Sequence, residues 1–403
     1  MATRRRAEAV RNDELFLDAG LELLRERGPD RMAALELARS AGLTTGAVYA
    51  RYENPAEIMV GLWQQRIATP MRMFLENSLS ALIDGSEEAN AAMTRALTNP
   101  SGPLRPGASI LLASPRIPQL AEVVGPDLRR WSQEFGLDSS DTADRAHRTA
   151  VVSVTLGSLV FATADMLSLE DWSFLRQWAN RALNHSAVGR FPLPEPRPLS
   201  EVRVETGDPA RDALVNGAAR VIANGGLELA TTQRIARAAD LTTSELFALY
   251  RTRSELFADV ADRLLSHLFG QFRTVAPPVH DHNRGSTWQQ RFLTERLGEF
   301  RWLLASENAQ PRLLRLEFHL AALHDDDIGD ALRRVDRTVN ENIATTVATD
   351  FGLDRSVLLR GLRMLRSTGL GSILLQELLG DLGQLDLRYA YEPLVSILED
   401  SAT

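Results

Sequence analysis

The chain contains no cysteine, which excludes disulfides, catalytic thiols, thiol redox sensing and thiolate zinc sites. It contains no lysine either, so all 45 basic residues are arginine, a side chain suited to bidentate contacts with phosphate and guanine. A phosphate loop, a dinucleotide-binding glycine fingerprint and a nucleophile elbow are also missing. We therefore expect neither an enzyme nor a cofactor.

Long hydrophobic runs are missing as well. The longest uncharged stretch, from Thr149 to Ala164, is shorter than the roughly 20 apolar residues of a membrane helix, and it predicts a buried helix. Near the start, Arg4, Arg5 and Arg6 are followed by charged residues instead of the apolar segment of an export signal. These features predict a cytoplasmic protein without membrane contact.

The net charge of -8 argues against nucleic-acid binding if it is taken over the whole chain. Its distribution removes that objection. Residues 1–66 hold ten arginines and ten acidic residues, and residues 210–268 hold seven of each. The excess of negative charge therefore lies outside these two segments.

The chain repeats itself. An offset of 198 residues aligns Glu14–Met59 with Asp212–Phe257 without a gap. The identical pairs are Gly28/Gly226, Ala38/Ala236, Arg39/Arg237, Ala41/Ala239, Leu43/Leu241, Thr44/Thr242, Thr45/Thr243, Ala50/Ala248, Tyr52/Tyr250 and Glu57/Glu255. Later matches need offsets of 216 and 214, so the second copy is 16 to 18 residues longer in its middle.

A proline-rich stretch separates the copies and predicts an extended connector. Elsewhere, apolar residues at spacings of three and four predict helices throughout, and no credible strand pairs occur. We predict an all-α fold of five segments, each copy having a helix-turn-helix domain followed by a helical regulatory domain. The segments are 1–66, 67–185, the linker 186–209, 210–268 and 269–403.

The first copy carries the pattern of a helix-turn-helix. A helix that ends near Arg27 meets Gly28 and Pro29, and a short second helix begins near Ala33. Gly42 supplies a left-handed turn, after which Thr44 or Thr45 caps the next helix. That third helix is small and polar at its start, as a helix that enters the major groove should be.

The residues Ala38-Arg39-Ser40-Ala41-Gly42-Leu43 and Thr44-Thr45-Gly46-Ala47-Val48-Tyr49-Ala50-Arg51-Tyr52 resemble the DNA-binding region of the TetR family. The resemblance implies a double-stranded DNA operator as partner. It implies phosphate contacts from Thr44, the Gly46 amide and the Tyr49 hydroxyl. Base reading would fall to Thr45, Ala47 and Arg51. Pro55 stands where the family often has a phosphate-binding lysine, which puts that contact in doubt.

The second copy departs further from the family pattern. Ser244 replaces the glycine, Glu245 places a carboxylate where a base or phosphate would lie, and Phe247 lacks the tyrosine hydroxyl. Asp240 can still adopt the turn conformation of Gly42. The remaining residues expected to contact DNA are Arg4, Arg5, Arg6, Thr242, Thr243, Ser244, Arg251 and Arg253. We expect the first copy to contribute more than the second to DNA recognition.

The resemblance also implies that each regulatory domain has an effector cavity and two dimerising helices. Residues 145–166 and 359–379 are the expected bundle helices, with Gly157 and Gly371 allowing close approach. The extra length and aromatic residues of the second copy place an apolar effector there, although these aromatics could equally fill a core. The candidate lining residues are Phe269, Phe272, Phe292, Phe318 and His319.

His319 and His324, which precede Asp325, Asp326 and Asp327, leave a ligand or metal contact open, but such an acidic run is usually solvated and no metal site is predicted. The sequence thus predicts a ligand-responsive repressor that is released from its operator by a small apolar molecule. It would act as an internal pseudo-dimer, with further self-association left open. The alternatives are a helical interaction protein that has lost DNA binding, and a ligand carrier or enzyme that uses the cavity.

Overall fold

In the computed structural model, the described part of the chain comprises residues 2–183, 203–205, 207–275, 287–380, 382 and 385–401. Side chains are described for these residues except 2–10, 268–275 and 291. Within this part every regular element is a helix and no strand occurs, so the all-α prediction is confirmed. The predicted linker 186–209 falls largely outside the described residues.

Three helices form the first head: α1 (Ala2–Arg27), α2 (Ala34–Ala41) and α3 (Thr45–Tyr49). Gly28 follows α1 with φ 78°, a conformation that glycine adopts without steric cost. Its neighbour Pro29 begins a short 3-10 turn. The chain therefore leaves α1 sharply and turns back to lay α2 against it.

A nearly continuous helix leads from the first head into the rest of the first half. It begins at α4 (Pro55–Leu62), passes through a π-helical segment at Trp63–Ile67 and continues as α5 (Ala68–Leu82). The indole Nε1 of Trp63 donates to Asp127 Oδ2 at 2.9 Å, and the Trp63 ring lies 5.9 Å from that of Trp131. These contacts attach the helix to its own half. The half continues with α6 (Glu87–Thr98), α7 (Leu104–Ala113), α8 (Pro118–Glu134), α9 (Thr142–Thr163) and α10 (Leu169–Leu183).

The second half repeats this order of helices. Its head consists of α11 (Pro209–Gly225), α12 (Thr232–Ala238) and α13 (Thr243–Leu249). The remaining helices are α14 (Arg253–Val275), α15 (Trp288–Leu304), α16 (Ala309–Ala322), α17 (Asp326–Phe351), α18 (Arg355–Leu379) and α19 (Arg388–Asp400). Part of the extra length of this half lies in α17, which has 26 residues where α8 has 17.

The two halves meet in a four-helix bundle of α9, α10, α18 and α19. Helices α9 and α18 touch through their backbones. A Cβ atom added at Gly157 would lie 1.9 Å from the carbonyl oxygen of Ser367, and one added at Gly371 would lie 1.8 Å from that of Ser153. The close approach predicted at these two glycines is therefore confirmed.

The outer helices of the bundle add polar contacts between the halves. Trp178 Nε1 on α10 donates to the carbonyl oxygen of Ala390 on α19 at 2.7 Å. Arg363 on α18 pairs with the buried Asp171 on α10 at 3.0 Å. The contact is thus mostly apolar at its centre, which is typical of a stable interface.

Candidate nucleic-acid interface

The turn of the first head has the geometry that its sequence predicts. Gly42 is left-handed, with φ 65° and ψ 29°. The Leu43 N–H then reaches the carbonyl oxygen of Ala38 at 2.9 Å. Thr44 is extended and caps α3, because its hydroxyl accepts from the Ala47 N–H at 3.2 Å. Helices α2 and α3 therefore form a helix-turn-helix.

One face of α3 is anchored and the other is open. Val48 is fully buried in the head, whereas Tyr49 exposes 61% of its surface. Thr44 and Gly46 are also exposed, and Thr45 and Ala47 are half-buried. The predicted contact residues thus lie at the accessible surface of a helix whose opposite side is fixed, which is the arrangement that groove binding requires.

The side chain of Arg51, which is predicted to contact a base, is oriented by a residue of α1. Its guanidinium forms an ion pair with the carboxylate of Asp13 on α1. An arginine that approaches a base edge is better ordered when a carboxylate orients it, although that pair must rearrange or share its donors on binding. Sequence reasoning missed this contact, because the two residues are 38 positions apart and no spacing rule joins them.

The second head adopts the same turn with different residues. Asp240 takes the left-handed conformation, with φ 54°, as predicted. Thr242 caps α13, and the Glu245 carboxylate accepts from both the Thr242 N–H and its hydroxyl at 2.7 Å. These hydrogen bonds hold the pKa of Glu245 below its ordinary value. Glu245 is therefore a capping residue, a role that the spacing Thr-x-x-Glu would have predicted.

The exposed face of α13 differs in character from that of α3. Phe247 exposes 48% of its surface and offers no hydroxyl. Thr243 and Ser244 are exposed, as is Arg251. Arg253 lies over the ring of Phe257, with its guanidinium carbon 5.0 Å from the ring centroid. Arg4, Arg5 and Arg6 lie in α1, but their side chains are outside the described set.

A partly buried ion-pair network joins both heads to the helices beneath them. Arg116, which follows α7, pairs with Asp30 of the first head at 2.8 Å and with Glu317 on α16 at 2.7 Å. Glu317 also accepts from the Leu227 N–H of the second head at 3.3 Å. Helices α7 and α16 thus connect the two heads through one arginine and one glutamate, an arrangement that the sequence did not reveal.

The candidate effector residues are tightly packed where their side chains are described. Phe318 and His319 are buried, and the His319 ring stacks on Phe161 of the first half at 5.8 Å. A cavity of about 20 Å³, room for one water molecule, lies nearby between Phe300 and Tyr391. Phe292 is also buried, while Phe269 and Phe272 lie outside the described side chains. His319 and Phe161 thus pack against each other across the halves, at a position where an effector cavity was predicted.

The geometry of the first head defines a helix-turn-helix protein of the DNA-binding class. Residues 16–60 match the family model described as bacterial regulatory proteins, tetR family. The match indicates a DNA-binding transcription regulator. A search of curated proteins finds no match to the chain. Among the described residues, no helix is long and apolar enough to cross a membrane.

Proposed function

We propose that the chain is a sequence-specific repressor in which two TetR-like units act as a single-chain pseudo-dimer. The observation that carries this proposal is the reciprocal packing of α9 on α18. Gly157 packs on Ser367, and Gly371 packs on Ser153. Each helix therefore contributes a serine and, four residues later, a glycine, and the serine of each helix contacts the glycine of the other. Such reciprocity is the mark of a two-fold interface.

The heads support the same proposal. Both contain a left-handed residue at the turn and a threonine cap on the third helix. Arg31 of the first head pairs with Glu228 of the second at 2.8 Å, so the heads lie side by side. A covalent pair of unlike heads would suit an operator whose two half-sites differ in sequence, with the half-sites about 34 to 36 Å apart.

We further propose that a small apolar effector acts through the second regulatory domain. Its support is the extra length of this domain in the sequence, together with the buried aromatic side chains in its core, among them Phe292, Phe300 and Phe318. Because the cavity between Phe300 and Tyr391 is only about 20 Å³, binding of an effector there would require the helices to separate. An effector that prefers the separated state would shift the population toward it and change the spacing of the heads.

The two heads should contribute unequally to operator binding. Arg51→Ala should weaken binding by about 1 to 3 kcal/mol if Arg51 reads a base, whereas Leu249→Ala, the aligned position of the second head, should weaken it less. Tyr49→Phe should cost about 0.5 to 1.5 kcal/mol, because one hydrogen bond to phosphate is lost. Tyr49 and Arg51 are both exposed, so their substitution should keep the fold intact.

A gel-shift titration against the DNA beside its own gene, repeated at several salt concentrations, measures these differences. Phe247→Tyr is the matched control, since it adds to the second head the hydroxyl that Tyr49→Phe removes from the first. It should leave binding unchanged or strengthen it. Equal losses from Arg51→Ala and Leu249→Ala would contradict unequal heads, and a complete absence of salt-dependent binding would favour a protein that has lost DNA binding.

A further inference from the structure

A pocket of about 230 Å³ lies at the junction of the two heads and is partly open to solvent. Residues 27–31 of the first head form one wall, and Leu227 and Glu228 of the second head form another. The start of α14 and the connection between α16 and α17 complete it. This volume is below the roughly 300 to 1,000 Å³ of pockets that take drug-sized ligands, so only a small molecule fits.

The apolar part of the pocket includes an aromatic face that already holds a cation. Phe257, Leu320 and Ile328 are buried lining residues. The guanidinium carbon of Arg253 lies 5.0 Å from the centroid of the Phe257 ring. Since Arg253 occupies the face of the ring, the charge of a bound cation has to lie elsewhere in the pocket.

The charged lining is predominantly acidic. Five carboxylates line the pocket against three guanidinium groups, and the residues are Asp30, Glu228, Glu317, Asp325 and Asp327 against Arg27, Arg31 and Arg253. Asp30 and Glu317 share Arg116, and Glu228 pairs with both Arg31 and Arg253. Asp327, in the first turn of α17, is exposed and forms no ion pair within the described residues. An incoming cation would therefore meet a carboxylate that needs no displacement.

We propose that this pocket binds a small aromatic ammonium ion, with the apolar part of the ligand against Phe257 and its charge beside Asp327. Since both heads line the pocket, its occupant contacts the two at once and favours the head spacing seen in this structure. This consequence for DNA rests on the proposed two-headed function, whereas the binding itself does not.

Isothermal titration of the full chain with benzyltrimethylammonium, without DNA, tests the proposal. Saturable binding to one site is expected, and benzoate, of similar size and opposite charge, should bind at least tenfold more weakly. Asp327→Asn should weaken binding of the cation by about two- to fivefold. Asp326→Asn removes the same charge from the same helical turn but from a residue outside the pocket lining, so its effect should stay below about twofold.

A second variant tests the location of the site. Ala258→Phe places a phenyl group in the pocket from α14 and should abolish saturable binding while the helical circular dichroism is retained. Equal binding of benzoate and the cation, or equal losses from Asp326→Asn and Asp327→Asn, would overturn the proposal. Because both aspartates are exposed, that comparison holds even if Ala258→Phe fails to fold. If the unsubstituted chain bound the cation but failed to bind DNA, that result would count against the proposed repressor function alone.

Discussion

Replacing Gly157 with alanine should lower the free energy of unfolding by about 3 kcal/mol, at the upper end of the cost of overpacking a core. The new Cβ would lie 1.9 Å from the Ser367 carbonyl oxygen, and this neighbour belongs to a helix backbone that cannot rotate away. Helices α9 and α18 would have to separate. Urea unfolding followed by circular dichroism measures the change as a lower transition midpoint.

Gly225→Ala is the matched control for this substitution. A Cβ at Gly225, the last residue of α11, would meet only the Leu229 side chain at 3.6 Å, an ordinary contact. Its stability should therefore remain within about 1 kcal/mol of the unsubstituted chain. Gly371→Ala should reproduce the loss caused by Gly157→Ala. If Gly157→Ala unfolded at the same urea concentration as Gly225→Ala, the halves could not meet as described.

Acidification should destabilise the protein through its buried histidines. Burial lowers the pKa of His147 to about 4, and burial with the adjacent Arg315 lowers that of His319 to about 3. Burial with Arg105 lowers the pKa of His324 to about 4. In the unfolded chain these groups titrate near 6.5. Below that pH the unfolded chain binds more protons than the folded one, so stability falls as pH decreases from 6.5 toward 4.

Each fully neutral histidine should contribute a slope of about 1.4 kcal/mol per pH unit in that window. His147 suits a direct test, because neither of its ring nitrogens has a hydrogen-bond partner among the described residues and its ring lies 5.8 Å from that of Trp178. His147→Phe should therefore keep the fold and flatten the dependence of unfolding free energy on pH between 6.5 and 5. An unchanged slope would show that His147 is not buried and neutral.

The parts of the fold that sequence could predict are those set by local rules. A glycine at a left-handed position, a threonine before a helix and apolar residues on one face fixed the first helix-turn-helix, and Gly42 and Thr44 behave as expected. The close approach at Gly157 and Gly371 was predicted from the family resemblance. The capping role of Glu245 was missed, although the local rule for a capping box covers it.

Contacts between residues far apart in the chain could not be predicted in this way. Arg116 and Glu317 lie 201 positions apart, and Arg51 follows α3 whereas Asp13 lies in α1. No periodicity links such pairs, since they depend on how whole helices pack. The same limit applies to the pocket between the heads, whose lining comes from segments that only the packed structure brings together. The predicted apolar effector and its site in the second half stay proposals for the same reason.

The central claim is that one chain supplies both heads to one operator. Native mass spectrometry of the protein bound to a DNA fragment selected from the region beside its own gene measures the stoichiometry directly. The account predicts one chain of 44.6 kDa per operator, with nuclease protection of two half-sites about one helical turn apart. A complex that forms only with two chains, each using its first head, would contradict it.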